Sequence, residues 1–451
     1  MSDLPPKFVS IGDKRFTDFL IPEKLASKYA ERTFLDSGGY GTVFGLESPS
    51  RKSLAIKKFI KPFERPKRAQ RLFRELQLLR NVNHKHIVKM KFAYVTEVKD
   101  PEPYSVYLVT EYAGPDLRMW LEQETQEHHQ FTLRNFKRMI SELLRALKYL
   151  NSAKVIHRDL KPDNLAISFN GQLTLLDFGV ARAFDKGNEL LTGDPGTRYY
   201  RALETMATFS WDDDELPNDG KPKKNRSYDE QADIWSIGAI LCEMLTGEII
   251  FRTTEPSLDG KIRDNPILKA IEVCGPIPEC VLKKISDSAS QAYCRDKSNK
   301  AKKEKQRLGK GLRWDFMEYF QEKARPWLKQ EIAADGPALL NFINRTLDFN
   351  PRKRLTVDAA LRHPFLSSVR VAKEEVLAPH TIQDEGDRTL AQWQHRIWEF
   401  IHTPREQNKE KRKVLVGVRA RKQQSRKNQT RTSTRNSTRK SPRSSQNNGK
   451  K

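Results

Sequence analysis

Two short segments carry acids, an amide and cations at spacings suited to phosphoryl transfer: VIHRDLKPDNL at 155–165 and LLDFGVAR at 175–182. Such a reaction asks little covalent chemistry of a protein. It needs an acceptor hydroxyl held in line, divalent metal held against the phosphates, and charge stabilisation. Asp159 can orient the hydroxyl and accept its proton, and Lys161 can neutralise the transferred group. Asn164 and Asp177 offer the hard oxygen ligands that Mg²⁺ prefers. Either segment alone reads equally as a polar loop beside a hairpin. The two in order, about a dozen residues apart, argue against coincidence. Upstream, Lys57 ends LAIK and Glu75 sits in LFRELQLL. A strand lysine can grip the α- and β-phosphates of ATP, and a helix glutamate can orient it.

The loop LDSGGYGTV, comprising Leu35, Asp36, Ser37, Gly38, Gly39, Tyr40, Gly41, Thr42 and Val43, is expected to cover those phosphates. Glycines let backbone N–H groups approach phosphate without side-chain clash. Asp36 stands at the first glycine position of G-x-G-x-x-G. At ~8 Å and an effective dielectric of ~20 an acid repels one phosphate charge by about 2 kcal/mol. ATP binding is therefore expected to be weakened and not abolished.

Positioning these groups requires particular elements. The stretch 28–60 alternates apolar and polar residues around glycine-rich and Pro-Ser turns, and predicts a β-meander ending at Lys57. KRAQRLFRELQLLRNV has helical spacing and carries Glu75. VYLVTEY reads as a buried strand, and FKRMISELLRALKYLNSAK as a long amphipathic helix. NLAISFNGQLTLLDFG reads as two strands around an Asn-Gly turn. Downstream the chain is mostly helical in pattern. A small β-rich part before a large α-rich part predicts an α+β fold of two lobes with a cleft between. Two stretches without apolar periodicity, 211–226 and the lysine-rich 296–311, read as exposed loops.

The chain has 451 residues, and 37% of them are hydrophobic, enough to build a large core. Formal net charge is +24, but residues 405–451 hold 17 Lys and Arg against 2 acids. The four cysteines form no CxxC pair, and no histidine lies at zinc spacing, so reduced thiols are expected. No apolar run is long enough to span a membrane, and the N-terminus has no basic-then-apolar leader pattern. These features predict a cytoplasmic or nuclear protein without a membrane partner.

The motifs resemble those of the eukaryotic protein kinases, and more narrowly the stress-activated branch of the MAP kinases, over roughly residues 20–402. IPEKLASKYAERTFLDSGGYG, KPFERPKRAQRLFREL and KKISDSASQAYC carry that likeness. The resemblance implies a Ser/Thr kinase using ATP and Mg²⁺. It implies an N-terminal extension (1–29), a small lobe (30–112), a large lobe (113–368), an extension packing back on the small lobe (369–402) and a basic tail (403–451). It puts Ala55 and Thr110 in the adenine pocket, with Glu111 to Ala113 as the hinge that reads adenine. Asp233 would hold the catalytic-loop backbone, and Glu204 would pair with Arg354. Thr197 would bridge Asp159 and Lys161.

In the same comparison Thr192-Gly193-Asp194 stands where the family carries a doubly phosphorylated Thr-Gly-Tyr. Arg71, Arg74, Arg158 and Arg182 match the arginines that clamp phosphothreonine, and Arg198 and Arg201 match those that face phosphotyrosine. An upstream MAP kinase kinase would then act on Thr192, and Asp194 would partly replace the second phosphate. Arg201 also implies a preference for Ser/Thr-Pro sites in protein substrates. Of the family's acidic docking patch Glu374 and Glu375 remain, whereas Val371 and Lys373 fall where acids are expected, so basic docking peptides should bind more weakly or the partners should differ. The tail, with KEKRK and repeated Arg-Ser/Thr units, suggests import factors or a nucleic-acid backbone as partners. Its lack of aromatic residues argues against sequence-specific RNA binding. The alternative reading is a weak or inactive pseudokinase scaffold with the same tail.

Overall fold

The computed structural model describes residues 7–49, 52–97, 104–126, 131–183, 195–206, 230–252 and 266–403. A hairpin of β1 (Phe8–Ser10) and β2 (Leu20–Pro22) leads through α1 (Glu23–Ala26) into the meander. There β3 (Glu31–Gly38), β4 (Gly41–Glu47) and β5 (Leu54–Phe59) run antiparallel. After α2 (Pro66–Asn81) come β6 (Met90–Thr96) and β7 (Ser105–Glu111), closing a sheet of order β3-β4-β5-β7-β6. Phe44 pairs with Ile56, and Ile56 with Val109. That face packs on Phe19 and Ile21 of the N-terminal hairpin to form the small-lobe core.

Side chains alternate between the faces of a strand, so the same register decides what faces the other way. Val43 pairs with Lys57, and Ala55 with Thr110. Those four residues therefore share the face opposite the core, towards the cleft.

The large lobe starts with α3 (Leu117–Gln126) and α4 (Leu133–Ser152). Gly114 makes the turn into it with φ +113, and a Cβ there would lie 2.1 Å from the Ile167 carbonyl oxygen, so only glycine fits. Two short strand pairings follow: β8 (Val155–Ile156) with β11 (Arg182–Ala183), and β9 (Leu165–Ile167) with β10 (Leu173–Leu175). Next come α5 (Leu203–Met206) and the almost wholly buried α6 (Gln231–Thr246). The remaining helices are α7 (Pro266–Cys274), α8 (Glu279–Leu282), α9 (Ser288–Arg307), α10 (Phe316–Lys323), α11 (Lys329–Thr346), α12 (Val357–Leu361) and α13 (Leu390–His402).

The stretch 296–311, expected to be a loop, is helical as far as Arg307 in α9. Its lysines, with Ala301, Glu304, Gln306 and Arg307, are strong helix formers, and Asp287 caps the first turn by accepting the Ser290 N–H at 2.8 Å. Asp296–Lys300 and Glu304–Arg307 ion pairs brace it at 3.0 and 2.7 Å. With only Cys294 and Ser298 buried, no apolar stripe was there to betray the helix. The stretch 211–226 lies outside the described residues.

The chain divides into two compact units, residues 1–393 and 394–451. Within the first, the segment ending at Trp393 lies against α2. The rings of Phe73 and Trp393 are 5.3 Å apart, and Gln70 donates to Asp387 at 3.4 Å. No helix among the described residues is long and apolar enough to cross a membrane.

Candidate active site

Lys57 projects from β5 towards the cleft, and α2 brings Glu75 to meet it. Lys57 Nζ donates to the two Glu75 oxygens at 2.8 and 3.1 Å and lies 3.6 Å from Asp177 Oδ1. Burial opposes the Lys57 charge, but Asp177 and Glu75 outweigh it and hold the ammonium above its ordinary value. Burial pushes the Glu75 carboxyl up to about 7 against the pull of Lys57. Burial also opposes the Asp177 charge, yet Lys57 keeps that carboxyl below its ordinary range. One ammonium thus serves two carboxylates.

The 157–164 loop is fixed by a few buried acceptors. Asp233, on α6, accepts the His157 N–H at 3.0 Å and the Arg158 N–H at 2.9 Å. Arg158 takes φ +73, a left-handed conformation held by this tethering. The His157 ring Nε2 pairs with the Leu176 carbonyl oxygen at 3.0 Å, and the Leu176 N–H donates to the Asn164 carbonyl at 2.8 Å. These bonds hold Asp177, itself at φ +47, beside Asp159 and Asn164.

Asn164 Nδ2 donates to the Asp159 carbonyl at 2.8 Å and to Asp159 Oδ2 at 3.2 Å. Lys161 Nζ lies 3.7 Å from Asp159 Oδ2. Asp159 Oδ1 is buried with no hydrogen-bond partner, and its neighbouring cation is Arg201 at 3.7 Å. Among the described residues nothing engages Asn164 Oδ1 or Asp177 Oδ2, and the Asp177 side chain is 46% exposed. Two free hard oxygens on one side and an unpartnered carboxylate oxygen on the other fit a divalent cation and a hydroxyl proton respectively. A cavity of about 120 Å³ joins Lys57, Glu75, Asp159, Lys161 and Asp177. Two larger cavities, about 1600 and 600 Å³, lie elsewhere and contain none of these groups, so size does not mark the chemistry.

The glycine-rich turn forms a tight hairpin in which Gly38 pairs with Gly41 and the Ser37 and Thr42 hydroxyls meet at 3.0 Å. A Cβ on Gly41 would lie 3.0 Å from the Lys58 carbonyl and 3.2 Å from Lys57 Cε. Leu35 is half-buried, while Asp36 and Gly39 are exposed. Tyr40 at the tip is drawn to α2: its hydroxyl accepts from Arg71 at 2.7 Å, and Arg68 and Arg71 sit 5.5 and 5.4 Å from its ring centre. At the hinge, the Glu111 N–H donates to the Lys89 carbonyl and the Tyr112 N–H to that of Ser53, both at 3.0 Å. The Glu111 carboxylate turns outward to Lys91 at 2.6 Å, and Ala113 is half-buried.

Two of the arginines assigned to phosphothreonine already meet one acid. Arg74 donates to Asp384 at 3.0 Å, and Arg182 lies 3.8 Å from the other Asp384 oxygen. Asp384 belongs to the C-terminal extension, and its side chain is 6% exposed. Arg198 is exposed and Arg201 buried. Thr192 and Asp194 lie outside the described residues, as does the Thr197 side chain. Glu204 and Arg354 form a fully buried bidentate pair, one bond at 2.9 Å, stacked on Trp235.

Sequence reasoning missed three positioning residues. His157 lay inside a quoted motif, but its ring contact with Leu176 is tertiary. Tyr40 was read only as part of a phosphate loop. Asp384 is 310 residues from Arg74 in sequence and gives no local signal.

The protein kinase domain family matches residues 29–366. The mitogen-activated protein kinase pmk-3 of Caenorhabditis elegans is 32% identical over 85% of this chain and 74% of its own length. Mitogen-activated protein kinase pmk-1 of the same organism is 30% identical over 83% of this chain and 85% of its own. Mitogen-activated protein kinase 13 of Homo sapiens is 29% identical over 84% of this chain and 90% of its own.

Proposed function

The chain belongs to the MAP-kinase branch of the protein kinases and is a serine/threonine kinase, and on that premise we propose that it phosphorylates Ser/Thr-Pro sites in intracellular signalling. One observation carries the reading: Asp159, Lys161 and Asp177 line the same cavity as the Lys57–Glu75 pair, with Asn164 bonded to Asp159 beside it. Asp159 orients the acceptor hydroxyl and takes its proton on Oδ1. Lys161 balances charge on the group in transit. Lys57, oriented by Glu75, holds the α- and β-phosphates of ATP. Asn164 and Asp177 hold Mg²⁺, which supplies charge neutralisation on the phosphates when bound. Leu35, Val43, Ala55 and Thr110 enclose adenine, and the Glu111–Ala113 backbone reads it. The turn from Asp36 to Thr42 lies over the phosphates.

Arg201, beside Asp159, supports proline direction. Thr192 is the remaining phosphorylation switch, with an upstream kinase acting on it, and Asp194 stands in for the second phosphate before Arg198 and Arg201. The basic tail engages import factors or a nucleic-acid backbone. The test is transfer of phosphate from ATP to a Ser/Thr peptide library, comparing wild type with Asp177→Asn. Transfer enriched at Ser/Thr-Pro and lost in the variant is expected. Transfer that survives Asp177→Asn sinks the site assignment, and transfer without a proline bias sinks the specificity.

A further inference from the structure

A second cluster of charge stands beside the catalytic loop, and the transfer chemistry uses none of its members. Asp163 lies on the single turn Pro162–Asn164, and its side chain is 45% exposed. Glu243 comes from the buried α6. Arg118, on α3, bridges the two. Its Nε and one terminal nitrogen donate to the two Asp163 oxygens, both at 3.1 Å. The other terminal nitrogen donates to Glu243 Oε1 at 3.1 Å. The Tyr200 hydroxyl accepts from Arg118 at 3.1 Å and donates to Glu243 Oε2 at 2.5 Å. Each carboxylate oxygen of the pair thus already accepts a bond. Burial opposes the Arg118 charge, but Asp163 outweighs it and the guanidinium is held above its ordinary value. Burial also opposes the Asp163 charge, yet Arg118 keeps that carboxyl below its ordinary range.

The anchors of Arg118 belong to segments that hold Asp159. Asp163 follows Asp159 by four residues, so no more than ~14 Å of extended chain separates them. Tyr200 precedes Arg201, whose guanidinium lies 3.7 Å from Asp159 Oδ1. Away from the loop, Arg118 and Glu243 line the cavity of about 1600 Å³ bounded by α3, the end of α6 and α10.

We infer that Arg118 sets substrate specificity: it fills, from within the chain, a subsite whose two acids would otherwise receive a basic side chain of the substrate. The inference rests on reading Asp159 as the group that holds the acceptor hydroxyl. A peptide bonded there passes Arg118 within about four residues of its acceptor and continues into the larger cavity. An arginine or lysine at that position finds both acids taken and meets a guanidinium in their place. Like charges set against each other exclude the wrong partner. Arg118 is tethered to α3, so its effective concentration at the two acids exceeds that of a substrate arginine in solution. Its planar fork also matches Asp163 through two bonds at once, which a lysine could not do.

The experiment is a positional scan on the full chain. Peptides with one Ser/Thr acceptor carry arginine or alanine, in turn, at each position within four residues of it, and kcat/KM is read. In Arg118→Ala, arginine at one of these positions should raise kcat/KM at least about tenfold over alanine, a preference absent from wild type. Arg118→Ala/Asp163→Asn should lose most of that gain, which a merely structural role for Arg118 does not predict. Arg118→Lys keeps a cation and should keep the wild-type order of peptides. If Arg118→Ala fails to fold, Arg118→Met, which keeps an apolar stem on α3, takes its place in the same scan. The same order of peptides in wild type and variant, all of them phosphorylated, overturns the inference and leaves the site reading standing. So does an arginine preference in Arg118→Ala that the added Asp163→Asn leaves undiminished. Transfer by wild type to no peptide at all overturns the site reading, and the inference with it.

Discussion

The catalytic loop and the arginine cluster beside it are both built from buried charge, but they are fastened in different ways. The loop is held by side chains bonded to backbone: Asp233 to two N–H groups, the His157 ring to Leu176, Asn164 to Asp159. Such bonds fix atoms in place and have no substitute in solvent. The cluster is held by side chains bonded to side chains: Arg71 to Tyr40, Arg74 and Arg182 to Asp384, Arg201 to Asp159. An arginine can trade one anion for another with little change of backbone. The first arrangement suits a step that needs fixed geometry, and the second suits a step in which phosphate displaces a resident group.

The contrast is tested most severely at its catalytic end. Asp159→Asn keeps the shape and the Asn164 contact but removes the proton acceptor. We expect kcat to fall about 10²- to 10⁴-fold with the melting temperature unchanged. A loss below tenfold would mean that Asp159 only positions the loop.

Removing the loop's fastening should cost stability as well as rate. Asp233→Ala strands two buried N–H groups at about 1–3 kcal/mol each. Both kcat and the denaturation midpoint should fall together. A large stability loss with kcat intact would show that the loop keeps its geometry without Asp233, and would break the distinction drawn above.

The two regions also differ in how far they could be read from sequence. Lys57, Glu75, Asp159 and Asp177 sit in motifs whose local spacing fits one chemistry, and the sheet register follows from alternation in the same stretches. Asp384 could not be read, because its meaning arises only when the C-terminal extension reaches α2. Glu374 and Glu375 were legible as acids, but their engagement by Arg145, Lys85, Lys148 and Arg370 was not. The α9 helix stayed hidden for a related reason: it is held by capping and ion pairs, which leave no hydrophobic period to detect.

A smaller effect is expected in the arginine cluster. Asp384→Asn removes the charge that Arg74 and Arg182 share, worth about 1.5–3 kcal/mol for a charged hydrogen bond. Because those arginines then lose the Asp384 charge, phosphorylation of Thr192 should raise activity more in the variant than in wild type. Equal responses, measured on chains phosphorylated to the same extent, would mean that Asp384 is structural only.

The smallest expected effect concerns the junction behind the cleft, where side chain and backbone fastening meet. The His86 ring Nδ1 pairs with the Leu173 carbonyl at 3.0 Å, and its backbone carbonyl accepts the Leu175 N–H at 2.9 Å, so His86 ties the small lobe to the hairpin leading to Asp177. Arg145, Lys85 and Glu374 surround the ring, with Glu142 at 3.9 Å. Burial depresses His86 and His84 to about 4, against about 6.5 in an unfolded chain. Between those values the unfolded chain binds protons that the folded chain does not, so stability is fully present above the unfolded value and is lost as pH falls through the folded one. His86→Asn keeps a donor for Leu173 and removes one of the two titrations. Between about pH 7 and about pH 4 the variant's melting temperature should fall less steeply than that of wild type. Parallel slopes would show that the rings are protonated in the fold, and that the junction is held by exchangeable charge like the arginine cluster.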